Sequence, residues 1–283
     1  MTTLPDQTSP RSVATDFNFT KPSHLALAVD DLREGLGKVW LWGTLALNDI
    51  KLRYRGSMLG PFWITISTAV TAIMMGGIYS HILKTEQSIY LPYLVVSLVF
   101  WQFLATLLNE SCDTFLLVEK VIQQVKIPFS VFVYRTVLRN FITLAHSAIL
   151  IPIILILFPR HWGFQIFLFP LALIVLAMNG VWISTVLGML STRFRDVPPI
   201  VSSLVQLMFF TTPIFWDIST LGEWKHVARY NPFFAALDIL RAPLLGYPVE
   251  PTSWPVMLAL TAFGSLATFT LFVRFRGRLA YWV

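Results

Sequence analysis

Charged residues and cysteine are scarce in this sequence. Charged side chains make up 13% of its 283 residues, hydrophobic ones make up 55%, and the mean hydropathy is +0.67. This shortage of polar surface excludes an ordinary soluble domain, because the surplus apolar surface must be covered by lipid. The single cysteine, Cys112, excludes an intramolecular disulfide.

The chain also lacks the residue patterns of common catalytic and metal sites. The five histidines lie far apart and show no metal-ligand spacing. The Gly-Lys pair at positions 37–38 lacks both the upstream glycine and the following serine or threonine of a nucleotide-binding loop. Glu110 and Asp113 offer little to an intramembrane enzyme, and we expect Glu110 to pair with Arg135 or Arg139 or to face water. We therefore predict a non-enzymatic chain with no catalytic residue, metal or cofactor.

Six apolar windows are separated by more polar segments, and each is long enough as a helix to cross most of a ~30 Å hydrocarbon core. The sequence therefore predicts an all-α integral membrane protein with six transmembrane helices. Pro92 opens the second window, where a missing amide donor costs little, and Pro152 should kink the third. The windows contain no Asp, Glu, Lys or Arg, and His146 should have a hydrogen-bonded packing role. The predicted spans are about residues 62–80, 91–108, 141–158, 164–190, 199–215 and 254–273.

Basic residues are distributed unequally between the two sides of this predicted membrane. A net charge of +6 also occurs in nucleic-acid-binding proteins, but in a membrane protein the usual source is the cytoplasmic loops. Sixteen lysines and arginines fall on one side and five on the other. We therefore expect no nucleic-acid partner, and we expect both termini to be cytoplasmic.

The amino-terminal region precedes the first span. Residues 1–28 are polar, lack the apolar stretch of a signal peptide, and are predicted to form a flexible cytoplasmic tail. Residues 29–54 place apolar side chains three or four apart, which predicts an amphipathic helix. That helix fits either the membrane interface or the protein's own cytoplasmic side. Trp40 and Trp42 favour the interface, where indole rings prefer to lie.

The segment between the second and third spans is too long and polar for a tight turn. Within it, residues 119–126 predict a short amphipathic helix, which Pro128 ends. Such a helix can dock on a partner.

The segment between the fifth and sixth spans, residues 217–253, is only moderately polar. Asn231 supplies an N-cap and Pro232 a suitable first helical residue, while Pro243 and Gly246 should break the apolar run. We predict one or two short re-entrant helices that dip into the outer leaflet.

Three runs together resemble one membrane-protein family. The first run is DIKLRYRGSMLGPFW, from Asp49 to Trp63. The second is RFRDV, which begins at Arg193, and the third is TPIFW, which begins at Thr212 and is followed by Asn231-Pro232. In this order they resemble the ABC-2 type permeases that export O-antigen, capsular polysaccharide and teichoic acid. The resemblance covers roughly residues 30–283, although many relatives have a proline inside the first span and this chain has none there.

The resemblance implies a half-transporter that forms a homodimer in the bacterial inner membrane and pairs with two copies of a separate ATPase. ATP and Mg²⁺ would bind that ATPase, and the other partners would be membrane lipid and a polysaccharide or undecaprenyl-linked glycan. Residues at matching positions would contact the ATPase: Glu119, Lys120, Gln123, Gln124, Lys126, Arg193, Arg195 and Asp196.

Aromatic residues make up 14% of the chain, and sugar rings have apolar faces that can stack on aromatic rings. Together with the resemblance, this abundance suggests a glycan path near the dimer axis. The candidate path residues are Tyr54, Arg55, Trp63, Tyr79, Trp216 and Phe233. Three other interpretations stay open: a permease for drugs or small lipids, a self-sufficient membrane enzyme or flippase, and a non-transporting scaffold.

Overall fold

The computed structural model describes residues 23–60, 62–218, 222–223 and 225–282, and within them every regular element is helical. The prediction of an all-α membrane protein is confirmed, while residues 1–22 of the predicted tail lie outside the described residues. The α-helices are α1 (His24–Gly37), α2 (Val39–Arg53), α3 (Phe62–Ile82), α4 (Gln87–Cys112), α5 (Glu119–Gln124), α6 (Phe129–Ser147), α7 (Leu150–Leu157), α8 (Leu168–Arg193), α9 (Val197–Thr211), α10 (Lys225–Arg229), α11 (Pro232–Leu245) and α12 (Ser253–Trp282).

In the described part of the chain, five helical stretches are long and apolar enough to cross a membrane: α3, α4, α6 with α7, α8 with the 3₁₀ turn before it, and most of α12. The fifth predicted span is shorter than expected, because α9 ends at Thr211 rather than at residue 215. Pro213 disfavours the helical conformation of the residue before it, and Thr212 is indeed extended, with ψ of 139°. At ~1.5 Å per residue, α9 is about 22 Å long.

The centre of the bundle is α4, which packs against α3, α6, α8, α9 and α11. Because lipid tails are as apolar as leucine, association of membrane helices depends on close packing and interhelical hydrogen bonds. Both occur between α8 and α12, where Gly264 lies against the indole of Trp182 and Nδ2 of Asn179 donates to Oγ1 of Thr261 at 2.7 Å. These contacts fix the two helices against each other.

Two predictions about prolines were wrong and one was right. Helix α4 begins at Gln87, five residues before Pro92, and the guanidinium of Arg160 donates to the Ser88 carbonyl, which Pro92 cannot serve, at 2.7 Å. The kink at Pro152 is confirmed, because the helix is interrupted at residues 148–149, one turn earlier. Helix α11 continues through Pro243, although this proline leaves the carbonyl of Ile239 without its usual helical donor.

Helix α11 begins and ends at the residues that the sequence predicted. The side chain of Asn231 accepts a hydrogen bond from the backbone N–H of Phe233 at 2.9 Å, so the predicted N-cap is confirmed. Gly246 ends the helix in the left-handed conformation, with φ of 74°, as glycine commonly does. Almost every residue of α11 is buried.

The predicted amphipathic helix over residues 29–54 is two helices, α1 and α2, which meet at Lys38. The polar side chains Asp31 and Asp49 are turned toward the protein, whereas Trp40 is 72% exposed and other apolar residues also face outward. The two locations left open by the sequence are therefore compatible: the pair packs on the protein and leaves an apolar surface for lipid.

Candidate functional site

The carboxyl ends of α4, α8 and α12 and the amino end of α6 lie together with α1, α2 and α5 at one end of the bundle. We call this end the arginine-rich face, because Arg53, Arg135, Arg139, Arg193 and Arg276 all lie there. An apolar cluster holds its elements together, and its members come from α1, the segment after α4, α6, α8 and α12. The elements of the face are therefore packed against one another and against the bundle.

An ion-pair cluster of five residues ties α2 to α4 and α6. Both carboxylate oxygens of Asp49 accept hydrogen bonds from Arg135, at 2.7 and 2.6 Å. Arg139 donates to Asp49 at 2.9 Å and forms a second ion pair with Glu110 at 2.8 Å. Arg53 completes the cluster by donating to Glu110 at 2.6 Å. The predicted pairing of Glu110 is confirmed, with Arg139 and Arg53 as its arginine partners.

The membrane-crossing helices carry charged residues that lie outside the predicted windows. Helix α6 begins at Phe129, twelve residues before the predicted third span, so Arg135 and Arg139 lie on a membrane-crossing helix. The cause is that α6 is apolar on one face only, and its polar face is covered by α2. His146 has the expected packing role, with Nδ1 2.7 Å from the carbonyl oxygen of Ile142.

Two acidic residues of this face, both outside the membrane-spanning helices, have shifted pKa values. Burial raises the pKa of Asp49, but hydrogen bonds and charge interactions with Arg135 and Arg139 outweigh it and lower the pKa below its usual 3.8. The resulting stabilisation is therefore present above pH 3.8 and is lost as the pH falls through the lower folded value. Burial, followed by the nearby charge of Glu110, raises the pKa of Asp113.

Asp31 joins three helices through a completely buried carboxylate. It accepts hydrogen bonds from the first two backbone N–H groups of α6, those of Phe129 and Ser130, at 3.1 and 3.0 Å. It also forms an ion pair with Arg276 of α12 at 2.8 Å. Although it belongs to α1, Asp31 thus caps the amino terminus of α6, where the helix dipole favours a negative charge. Beside it, Gly35 lets α1 approach closely, because a Cβ there would overlap Oγ of Ser130.

We expect Asp31→Ala to lower the free energy of unfolding by about 2–3 kcal/mol, because a cap is lost and buried N–H groups are left unpaired. For a chain of this size, the melting temperature in detergent should fall by roughly 4–10 °C. Asp30→Ala is the matched control, since Asp30 is the exposed neighbour on the same helix. Equal melting temperatures for the two variants would contradict the capping role.

The predicted ATPase-contact segment is a short helix, α5, preceded by a 3₁₀ turn. The buried side chains of Phe115 and Val118 and the partly buried Ile122 fasten it to the apolar cluster. The polar residues that the sequence singled out are turned mostly outward. Glu119 is partly buried, and the exposed ones are Lys120, Gln123, Gln124 and Lys126.

Sequence reasoning missed an apolar stripe on the same segment. Leu117, Val121 and Val125 are 68%, 40% and 52% exposed; they lie in the 3₁₀ turn, in α5 and at the extended carboxyl cap of α5. The spacing of four residues was visible in the sequence, but only Val121 lies within the helix itself. Exposed apolar side chains at this end of the bundle offer a surface for a protein partner.

The second predicted contact, Arg193, Arg195 and Asp196, lies in the turn between α8 and α9. All three residues are exposed. The structure therefore places both predicted contacts on the arginine-rich face.

The structure does not bring the predicted path residues together. Tyr54, Arg55 and Trp63 lie near the start of α3, while Tyr79 lies sixteen residues further along it, about 24 Å away at the usual helical rise. Tyr79 stacks on Phe215 with ring centroids 5.4 Å apart.

The remaining two path residues contact different aromatic side chains of α4. Trp216 is partly buried, and its backbone carbonyl accepts a hydrogen bond from the hydroxyl of Tyr93 at 2.9 Å. Phe233 packs on Trp101 at 5.7 Å. Trp63, which is 60% exposed, is the most accessible aromatic side chain of the predicted set.

Comparison with known families agrees with this geometry. Residues 41–245, which include α3 to α11 and the whole ion-pair cluster, match the family model described as ABC-2 type transporter. The chain belongs to the ABC-2 type transporter family. The match covers well over half of the 283 residues, and it confirms the family resemblance seen in the sequence.

Individual relatives of this ABC-2 chain are about a quarter identical to it over the part that aligns. An O-antigen export system permease protein RfbA from Klebsiella pneumoniae is 25% identical over 192 residues, which cover 65% of this chain and 72% of the relative. A protein of the same name from Myxococcus xanthus is 23% identical over 183 residues, covering 64% and 69%. A second Klebsiella pneumoniae protein of that name is 26% identical over 190 residues, covering 65% and 72%.

Proposed function

We propose that this chain is the membrane permease of an ATP-driven exporter that moves O-antigen, as free polysaccharide or as a lipid-linked glycan, across the bacterial inner membrane. The observation that carries the proposal is the family match over residues 41–245, together with three relatives named as O-antigen export permeases. The charge pattern supports an orientation with the arginine-rich face in the cytoplasm, because cytoplasmic ends of membrane helices are rich in lysine and arginine.

The energy source in this proposal is a separate ATPase that binds ATP and Mg²⁺. The sequence lacks a nucleotide-binding loop, so the permease needs an external motor. The apolar stripe of Leu117, Val121 and Val125, flanked by exposed polar residues, supports docking of that ATPase on α5. In the homodimer that we propose, two ATPase copies would dock, one on each α5.

Movement of the ATPase would reach the bundle through contacts already described. Phe115 and Val118 fasten α5 to the apolar cluster, which includes residues of α1, α6, α8 and α12. Asp31 and the ion-pair cluster then join α1 and α2 to the same helices. A displacement at α5 would therefore be shared by several helices at once, as in rigid-body transitions.

The glycan path would be formed by two copies of the chain. Helix α3 is the least buried of the five long apolar stretches, and Trp63 lies on its uncovered surface. A second copy that faces this surface would place aromatic side chains on both sides of a path, where sugar rings can stack on them.

A pull-down from the native membrane in mild detergent, followed by co-reconstitution in vesicles, tests the function. We expect an ATPase at a near-equimolar ratio, and we expect labelled O-antigen to move across the vesicle membrane only when ATP is present. Isolation of an active chain without any ATPase would overturn the proposal in favour of a self-sufficient enzyme. If the vesicles move small lipids or drugs but not glycan, the chain is a permease for those substrates and the proposed glycan substrate is wrong.

For the path, Trp63→Ala is expected to slow glycan export about fivefold, the equivalent of one lost aromatic contact of ~1 kcal/mol. ATP turnover should change much less, because Trp63 lies outside the proposed ATPase contacts. The measurement compares both rates in the same vesicles. Phe263→Ala is the control, since Phe263 is an exposed aromatic on α12. If export and ATP turnover fall together, Trp63 has a structural role and the path assignment is wrong.

A further inference from the structure

A groove at the arginine-rich face lies between the last turns of α8 and α12. Its volume is about 260 Å³, and apolar side chains such as Val186, Leu190 and Leu271 form its walls. Two arginines, Arg193 at the end of α8 and Arg278 near the end of α12, also line it. The groove therefore combines an apolar interior with two positive charges.

The position of the two arginines relative to the membrane is set by their helices. Arg193 is the last residue of one membrane-crossing stretch, and Arg278 is the second-last residue of another. Residues at such ends lie at the depth of the lipid headgroups, whereas Val186 and Leu271, about two turns further in, lie at the depth of the acyl chains. Phe275 and Trp282 also line the groove, and aromatic residues are common at this depth.

The two guanidinium groups have no anionic partner within the described residues. Arg193 lies over the ring of Phe194 at 5.7 Å, and Arg278 lies over the ring of Phe275 at 6.0 Å. The carboxyl ends of α8 and α12, where the two arginines lie, favour a positive charge because of the helix dipole. Each guanidinium nevertheless has five N–H donors, and none of them donates a hydrogen bond to a residue in the described ranges. Paired donors of this kind suit the oxygen atoms of a phosphate group.

We propose that this groove binds one anionic phospholipid of the surrounding bilayer per chain. The phosphodiester would lie between Arg193 and Arg278, and part of one acyl chain would occupy the apolar interior. The charge complementarity selects an acidic headgroup over a zwitterionic one, since the positive amine of a zwitterionic headgroup would lie close to two arginines. The groove is remote from the proposed glycan path, because α3 packs on α4 and α6 rather than on α8 or α12.

Native mass spectrometry of the purified full chain in detergent tests the proposal. After delipidation, phosphatidylglycerol and phosphatidylcholine with identical acyl chains are titrated separately. We expect one phosphatidylglycerol per chain to bind about tenfold more tightly than phosphatidylcholine. Equal binding of the two lipids would overturn the proposal.

Variants locate the binding site. Arg193→Gln combined with Arg278→Gln should weaken phosphatidylglycerol binding about tenfold or more and leave phosphatidylcholine binding unchanged. Arg195→Gln, an exposed neighbour that does not line the groove, should bind like the unaltered chain. Leu271→Trp, which fills the groove, should weaken binding of both lipids. Retention of phosphatidylglycerol by the double variant would place the lipid elsewhere.

The same phosphate chemistry occurs in lipid-linked glycans, and a competition separates the two sources. A short polyprenyl diphosphate should displace phosphatidylglycerol only at equal or higher concentration. If it displaces phosphatidylglycerol at far lower concentration, and the double arginine variant abolishes this effect, the groove serves the transported lipid and the phospholipid assignment is wrong.

Discussion

Arg139→Gln is expected to destabilise the protein more than any other single change in the ion-pair cluster. The side chain of Arg139 is 6% exposed and bridges Asp49 and Glu110, which are each 15% exposed. Its loss leaves each of these carboxylates with one arginine partner fewer. Breaking a buried ion pair by removing one partner costs about 3–5 kcal/mol. The melting temperature in detergent should therefore fall by roughly 10 °C.

Two further variants show how much of the fall in melting temperature is due to burial of Arg139 and how much to its charge. Lys38→Gln removes the half-exposed pair of Lys38 with Glu34, an i, i+4 pair worth about 0.5 kcal/mol or less, so its melting temperature should hardly change. Arg139→Lys keeps the charge but loses the forked geometry, and its melting temperature should be intermediate. If Arg139→Gln melts like Lys38→Gln, the cluster contributes no more than a surface pair.

Replacing Val121 and Val125 together by aspartate is expected to abolish stimulation of the proposed partner ATPase. Both side chains are exposed on the apolar stripe, so the change should leave the fold intact while placing two charges in the docking surface. Loss of a central contact of 2 kcal/mol weakens an interface about 30-fold. The measurement is ATPase activity with and without this chain in vesicles, alongside co-purification of the two proteins.

A second double variant changes polar residues of the same segment and is compared with the Val121 and Val125 variant. Glu119→Ala with Lys126→Ala removes two charged side chains, each worth about 1 kcal/mol or less, and should reduce stimulation only partly. An equal loss in both double variants would assign the docking to charge rather than to the apolar stripe. If both double variants stimulate the ATPase fully, α5 is not part of the interface, and the rest of the proposed function is unaffected.

The positions of the long helices could be predicted from the sequence, because bilayer thickness fixes the length of an apolar window. The limits of the helices were harder to predict. Helix α6 begins at Phe129, twelve residues before its apolar window, because α2 covers its polar face. Helix α4 begins at Gln87, four residues before its window. Arg160 supplies the hydrogen bond to the Ser88 carbonyl that Pro92 cannot donate. No local sequence pattern predicts a donor that lies 72 residues away.

The candidate site was only partly predictable for a similar reason. The residues of α5 could be located from their polarity and the following proline, and Glu110 could be matched with nearby arginines. The pairing of Asp49 with Arg135 and of Asp31 with Arg276 depends on contacts between distant parts of the chain. In a single sequence, an acidic residue on an amphipathic helix simply indicates a solvated face, and the structure reverses that interpretation for both aspartates.

The bond between Asp31 and Arg276 also constrains the order of biogenesis. The two residues are 245 positions apart, and the chain is synthesised from its amino terminus. Asp31 can therefore cap α6 as soon as α6 has been inserted, but it gains its arginine partner only after α12 has been made. A ribosome stalled before residue 276 would leave α1 held by α6 without this ion pair to α12.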